Sequence, residues 1–278
     1  MSKKISKKLK VKEGDPLVAC DFVSSRVELS KEKIKKAMMN GSCWLKKQNK
    51  KGTNRIRKAK TPIRVGDTVE FYFDPDIEFP SSEGFEVVFE TKHFGIWNKV
   101  PGMLSQGTRY GDAGSVLKEV SSLRKQAFLI HRLDREVGGL IVVGYSHKAA
   151  TKLSELFRTD AVVKKYRCWV LGIPDEVEGV IEEPLDGKES KTSYKIIDKF
   201  EGKACLEIRI YTGRTHQIRR HLDFLGHPVI GDPRYGRGNK DERGLQLASY
   251  YLEFEDPFHK RPVQVSLDEE VLSNFLSI

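Results

Sequence analysis

From Phe85 to Phe254 the chain is a succession of short β-type runs with little helix between them, and this pattern constrains the fold more than any other feature. The runs are Phe85 to Glu90, Phe94 to Lys99, Ala127 to His131, Leu140 to Tyr145, Val163 to Gly172, Ala204 to Thr212 and Leu245 to Phe254. Helical spacing is convincing in two places, His147 to Thr159 and Thr215 to Leu225, with a further short helix expected at the C-terminus. A doubly wound parallel sheet needs a helix after nearly every strand, so that architecture is excluded. The expected class is α+β, built on a large mixed, largely antiparallel sheet.

The region before Phe85 is set apart by charge. Residues 1 to 64 hold 20 Lys and Arg against 5 Asp and Glu, or +15, whereas residues 65 to 278 hold 29 against 34, or −5. A basic quarter on a near-neutral body reads as a polyanion-binding arm, with nucleic acid the leading partner. For the first twelve residues a solvated lysine tail is the plainer reading. Ser30 stands at a helix N-cap, Gly41 at its stop, and Ile34, Ala37 and Met38 share one face while Lys31, Lys33, Lys35 and Lys36 point outward. A strand from Ser42 to Lys47, a basic loop from Gln48 to Lys60 and a turn at Gly66-Asp67 between short strands complete a small α+β unit. The acidic stretch from Asp74 to Gly84 reads as a linker. The expected organisation is a basic tail (1–12), a small basic unit (13–73), a linker (74–84) and a larger body (85–278).

No run approaches the ~18 to 20 apolar residues of a membrane span, and the N-terminus lacks a secretory apolar stretch, so neither membrane insertion nor export is expected. Cysteines at 20, 43, 168 and 205 are too scattered for a metal knuckle or a disulfide scaffold, and a reducing cytoplasm is the expected location.

Three segments carry chemistry. In Phe128 to Val143 an apolar strand ends in His131, Arg132 and Asp134, and Gly138-Gly139 lets the backbone turn into a second strand, which presents Asp134 on a braced loop. A charged hairpin tip would leave the same trace. In Gly213 to Pro228, Thr215 can cap a helix whose Ile218, Leu222 and Leu225 face the core. Arg214 and Arg219 flank its start, where a phosphate or carboxylate would be welcome. His216, His221 and His227 lack the spacing of a helical zinc site, so no metal is expected. In Lys164 to Leu171, Tyr166, Cys168 and Val170 share a strand face; Tyr166 can stack on a base or serve as ordinary core.

Taken in order, "HRLDREVGGLIVVG", "KKYRCWVLG" and "GRTHQIRRHLDFLGHPVIGDPRYG" resemble the RluA-type pseudouridine synthase family. "NKVPGMLSQG" resembles the family's early Lys-Pro loop and "LQLASYYLEF" its late strand, so the likeness runs from about Phe85 to Pro262. The order of parts in front, closing on "IRVGDTVEFYF", resembles the small RNA-binding domain named after ribosomal protein S4. The resemblance implies an isomerase that makes pseudouridine in structured RNA, without metal or organic cofactor; rRNA is expected in preference to tRNA, and a monomer is expected although the sequence does not show the oligomeric state. It implies Asp134 as nucleophile, Tyr166 as the base-stacking residue and Arg219 as the partner of the aspartate. Arg214 then holds RNA backbone or supports the site, and Leu247 lies under the base. His131, Arg132, His216 and Gln217, with Lys33 and Lys36 of the basic helix, are expected to contact RNA. Val137-Gly138-Gly139 and Ala248-Ser249 depart from the family's usual Thr-Ser-Gly and His-Ala, which bears on loop geometry and target choice.

Uridine within structured RNA must be flipped into a pocket before its glycosidic bond can be reached. An ionised Asp134 can then attack C1′, add to C6, or remove a ribose proton, and the sequence leaves these routes open. Tyr166 through a water is a candidate base for the final C5 proton. Two other classes compete: a non-catalytic RNA-binding or ribosome-assembly protein on the same fold, and an N-glycosidic hydrolase, which expects a second well-placed carboxylate that Glu136 and Asp223 do not clearly supply.

Overall fold

The computed structural model describes residues 4–77, 79 and 81–276. It divides into two compact units: one runs to residue 80 and takes in Gln106–Glu119, and the other comprises Ser81–Ser105 and Val120–Ile278.

In the first unit, β1 (Ile5–Lys10), β2 (Cys43–Lys46), β3 (Asn54–Ile56) and β4 (Thr68–Phe73) form an antiparallel sheet of order β1-β4-β2-β3. Helices α1 (Ala19–Ser24) and α2 (Lys31–Met39) close it, with Phe22, Ile34 and Met38 fully buried beside Val69 and Phe71. Ser30 caps α2 as expected, accepting a hydrogen bond from the Lys33 N–H at 3.3 Å. Of the stretch expected as a solvated tail, residues 1–3 lie outside the described residues, and the rest is not a tail. Ile5 and Leu9 pack on the core while Lys7, Lys8 and Lys10 stay exposed, so an apolar residue every fourth position is enough to dock β1 on β4 despite the lysines. Helix α1 and strand β3 had no counterpart in the expected elements.

Residues 106–119, expected in the second unit, belong to the first. The cause is electrostatic and local: Asp112 takes ion pairs from Arg55 and Arg57, the latter at 2.6 Å, and Trp44 Nε1 donates to the Arg109 carbonyl at 3.2 Å. The expected 74–84 linker does contain the division after residue 80.

The second unit is one ten-stranded sheet. Its strands are β5 (Glu86–Glu90), β6 (Phe94–Lys99), β7 (Phe128–Leu129), β8 (Gly138–Gly144), β9 (Val163–Leu171), β10 (Glu178–Ile181), β11 (Thr192–Phe200), β12 (Lys203–Ile210), β13 (Leu247–Glu255) and β14 (Pro262–Ser266). Their order is β10-β11-β12-β9-β13-β8-β6-β5, with β14 beside β13 and β7 beside β8, and all pairs are antiparallel except β13 with β8. Helices α4 (His147–Leu156), α5 (Gln217–Phe224) and α6 (Glu269–Ser273) fall where helix was expected; α3 (Val116–Leu123) was not foreseen. Nor were β10, β11 and β14: β10 leaves Val180 exposed and β11 is exposed over its last four residues, so the alternation that marks a half-buried strand is weak there.

The register lines up Lys99, Gly139, Ser249, Tyr166 and Ile208 as a row across five neighbouring strands. At the parallel crossing a Cβ on Gly139 would lie 2.0 Å from the Ser249 carbonyl oxygen, and the φ of +108° there suits only glycine. Gly139 is the glycine of the family's usual Thr-Ser-Gly, so the departures there are Val137 and Gly138, and Gly138 abuts Pro101 and Phe275, at 3.1 Å from an added Cβ.

Candidate active site

The loop between β7 and β8 carries Asp134, and its backbone is gripped on both sides. Ser105 Oγ donates to the Leu133 carbonyl at 2.7 Å and accepts from the Leu133 N–H at 3.0 Å. On the other side Lys99, fully buried, donates from Nζ to the carbonyls of Val100, Met103 and Arg135. Burial pulls the Lys99 ammonium down to about 7, with Glu136 and Asp134 opposing that shift. Lys99 lay within a recognised motif but was not foreseen as part of the site, because its partners are backbone atoms up to 36 residues away.

Helix α5 supplies the facing charge. Arg219, its side chain only 1% exposed, donates from Nε and Nη2 to the two oxygens of Asp232 at 2.7 and 2.8 Å, and from Nη1 to Asp134 Oδ2 at 3.2 Å. Its Nη1 is also 4.0 Å from Glu136 Oε2. Burial disfavours the charge on Asp232, but Arg219 and the N–H groups of Arg234 and Tyr235 outweigh it and hold the carboxyl below its ordinary value. Asp232 was missed at the level of sequence; the one signal available was that an arginine buried in a helix needs a fixed counter-charge. Asp134 keeps 28% of its side chain exposed. One guanidinium is thus fully neutralised in the interior and still offers one N–H to the more open carboxylate.

The start of α5 differs from expectation. Thr215 is not the cap: the N-cap is His216, in the left-handed conformation (φ 53°, ψ 30°) and without a side-chain capping bond. The turn is fixed by Gln217 instead, whose Oε1 accepts from the Arg214 N–H and the Thr212 hydroxyl and whose Nε2 donates to the Lys191 carbonyl and Thr192 Oγ1. His216 Nδ1 lies 3.1 Å from the Tyr235 hydroxyl and Nε2 3.8 Å from Asp134. Burial lowers the His216 pKa, with the Asp134 charge opposing, so the ring is neutral at neutral pH.

A pocket opens between these groups. The sheet face supplies its floor, with Tyr166, Leu247 and Ile210, and the Asp134 loop and the start of α5 supply its walls. Tyr166 is nearly buried, hydrogen-bonded to the Ser249 side chain, and its phenol is pushed up to about 12, chiefly by burial and further by the charge of Asp134. Of the expected site residues, Asp134, Tyr166, Arg219, Arg132, Arg214, His216, Gln217 and Leu247 all line this pocket. Gln217 has both ends of its amide occupied by the protein, so its place is to hold the α5 turn rather than to read substrate. His131 does not line the pocket. Its ring stacks on Phe157, with centroids 5.0 Å apart, Nε2 accepts from the Val142 N–H, and burial keeps it neutral; it braces the loop from behind. Lys33 and Lys36 lie in the other unit, on the exposed face of α2. Among the described residues no group of three or more His, Cys, Asp or Glu is arranged to hold a metal ion.

Comparison with known proteins gives the family. Residues 93–224 match the family model described as RNA pseudouridylate synthase. An uncharacterized RNA pseudouridine synthase of Mycoplasma genitalium is 30% identical over 268 residues, covering 87% of this chain and 85% of that protein. Ribosomal large subunit pseudouridine synthase C of Vibrio parahaemolyticus is 33% identical over 177 residues, 58% of this chain and 56% of that protein. Among solved structures, human RNA pseudouridylate synthase domain containing 1 superposes with a TM-score of 0.60 at 23% identity, over 72% of this chain and 89% of that one, a likeness of fold. The chain belongs to the RNA pseudouridylate synthase family, as its RluA-type motifs implied, and is an isomerase of that class.

Proposed function

We propose that the chain converts uridine to pseudouridine in ribosomal RNA of the large subunit, with Asp134 as the reacting carboxylate. One observation carries the residue assignment: the Asp134 oxygen sits 3.2 Å from a buried, fixed guanidinium and faces a pocket floored by Tyr166 and Leu247. The RNA class rests on the printed name of the Vibrio relative.

The pocket supports the following division of labour. Arg219 holds the Asp134 carboxylate in place through its Nη1 N–H, in a site from which a bound base would exclude water. Because Asp232 occupies two of its donors, Arg219 cannot swing away when the Asp134 charge is consumed, so the carboxylate is regenerated in the same place. Tyr166 and Leu247 form an apolar floor on which a detached uracil can rotate without escaping. With its proton held until about pH 12, Tyr166 acts as a platform and hydrogen-bond donor. The ionised acceptor at hand for the C5 proton is then Asp134 itself, once the carbon–carbon bond has formed. The S4-like first unit, with Lys33 and Lys36 outward on α2, supplies RNA-backbone attraction.

The test is tritium release from large-subunit ribosomal RNA transcribed with uridine labelled at C5, together with chemical mapping of pseudouridine in the product. Wild-type protein releases tritium and Asp134→Asn does not. Wild-type-like turnover in Asp134→Asn removes Asp134 from the reaction, and release of free uracil in place of pseudouridine replaces the isomerase reading with a hydrolase.

A further inference from the structure

Lys164 precedes Tyr166 by two residues on β9, so both side chains leave the same face of the strand. Its register partner on β12 is Ile210, which lines the pocket, and on β13 it is Leu252, which is fully buried. Lys164 itself is 7% exposed. Among the described residues its ammonium makes no hydrogen bond and has no carboxylate within ion-pair distance, yet it still touches solvent. Burial holds its pKa below the ordinary lysine value; Asp160 opposes this from farther off and Arg209 adds to it.

The contrast with other lysines of the same sheet is sharp. Lys99, more deeply buried, gives its protons to three carbonyls, and Lys165, the next residue, has Glu207 at 3.0 Å. A cation withdrawn from water without a partner costs free energy that folding alone does not return. Lys164 is not in the lining of the pocket but stands beside Ile210, which is; a nucleotide held there brings flanking phosphates, and Arg132 and Arg214 of the lining already offer them charge.

We propose that Lys164 binds the RNA backbone phosphate next to the nucleotide seated in the pocket. This rests on the pseudouridine synthase reading above. The ammonium is placed for the bound state: its partner arrives with the substrate, while Ile210 and Leu252 on the flanking strands and the neutral His131 ring, near enough to feel its charge, offer it no counter-charge.

Lys164→Met tests the idea, because it keeps the buried stem and removes the charge. With the unmodified large-subunit rRNA transcript, KM rises about tenfold, most of the effect falling there and little in kcat. The slope of log affinity against log salt becomes shallower by about one, as for a lost phosphate contact. Thermal stability holds or rises, since an unpaired buried charge has gone, whereas a purely structural lysine would show lowered stability with unchanged salt slope. Lys164→Arg restores KM to within about twofold. As a measurement on the unmutated chain, the Lys164 ammonium, ¹³C-methylated and observed by NMR, shifts when the transcript is added. A wild-type KM and slope in the Met variant, or an NMR signal indifferent to RNA, overturns the proposal. If wild-type protein makes no pseudouridine, the functional reading fails by itself, while the salt slope and the NMR shift still decide whether Lys164 meets RNA.

Discussion

The two units handle charge in opposite ways. The first wears it: β1 and α2 hold their lysines outward over a small apolar core, and pairs such as Lys31 with Asp21 are open to solvent. The second takes it inside, where Arg219, Asp232 and Lys99 are buried and each is satisfied by fixed partners. Exposed pairs are worth about 0–1 kcal/mol and are weakened by salt, whereas breaking a buried pair costs about 3–5 kcal/mol. The lesson is that exposed charge is suited to attracting a polyanion reversibly and buried charge to holding one carboxylate still.

This contrast can be broken in graded ways. Asp134→Ala is expected to abolish turnover, a loss of about 10⁴-fold or more, with RNA binding and melting temperature nearly unchanged, measured by tritium release, filter binding and calorimetry. Arg219→Ala comes next, lowering turnover about 10²- to 10³-fold and lowering stability as well, because Asp232 is left buried without its counter-charge, with only the Arg234 and Tyr235 N–H groups on it. Asp232→Asn separates these effects: it should cost about 3–5 kcal/mol in denaturant unfolding, and if stability is unchanged the buried pair does not anchor the site.

Lys99 gives a pH signature. Its folded pKa of about 7 lies below the unfolded value near 10.5, so the unfolded chain binds the extra proton between those limits. Stability from this group is therefore lowest and flat below about pH 7 and recovers as pH rises toward about 10.5. Lys99→Met should remove that rise, seen as a flatter pH dependence of unfolding free energy than wild type. The smallest effect is expected from Lys33→Gln with Lys36→Gln: a few-fold weaker RNA binding, a salt slope shallower by about two, and no change in chemistry once RNA is bound.

Much of the second unit was legible in the sequence because its strands and α5 announce themselves by local pattern. Asp134, Tyr166, Arg219 and Leu247 were reached through motifs, and they meet in one pocket. What could not be read were pairings through space: Arg219 with Asp232, and Lys99 with the carbonyl of Arg135. His131 and Gln217 were misjudged for a related reason. Polar residues beside a reactive group look like substrate contacts until their own hydrogen-bond partners are known. β1 was misjudged because its lysines outnumber the two apolar residues that dock it.

The division of the chain into units has a practical consequence. The polypeptide passes from one unit to the other three times, after residues 80, 105 and 119, so the N-terminal portion is not an appendage joined by a single tether. A protease that nicks the acidic stretch would free residues 1–80 from the rest of the chain, leaving them held to residues 106–119 by non-covalent contacts such as those of Asp112 with Arg55 and Arg57. Deleting residues 1–73 would strip Asp112 of both its arginines and orphan the segment around it. A shortened protein that loses activity would thus report damaged architecture as readily as lost RNA affinity, and point changes on the lysine-bearing helix are the cleaner instrument.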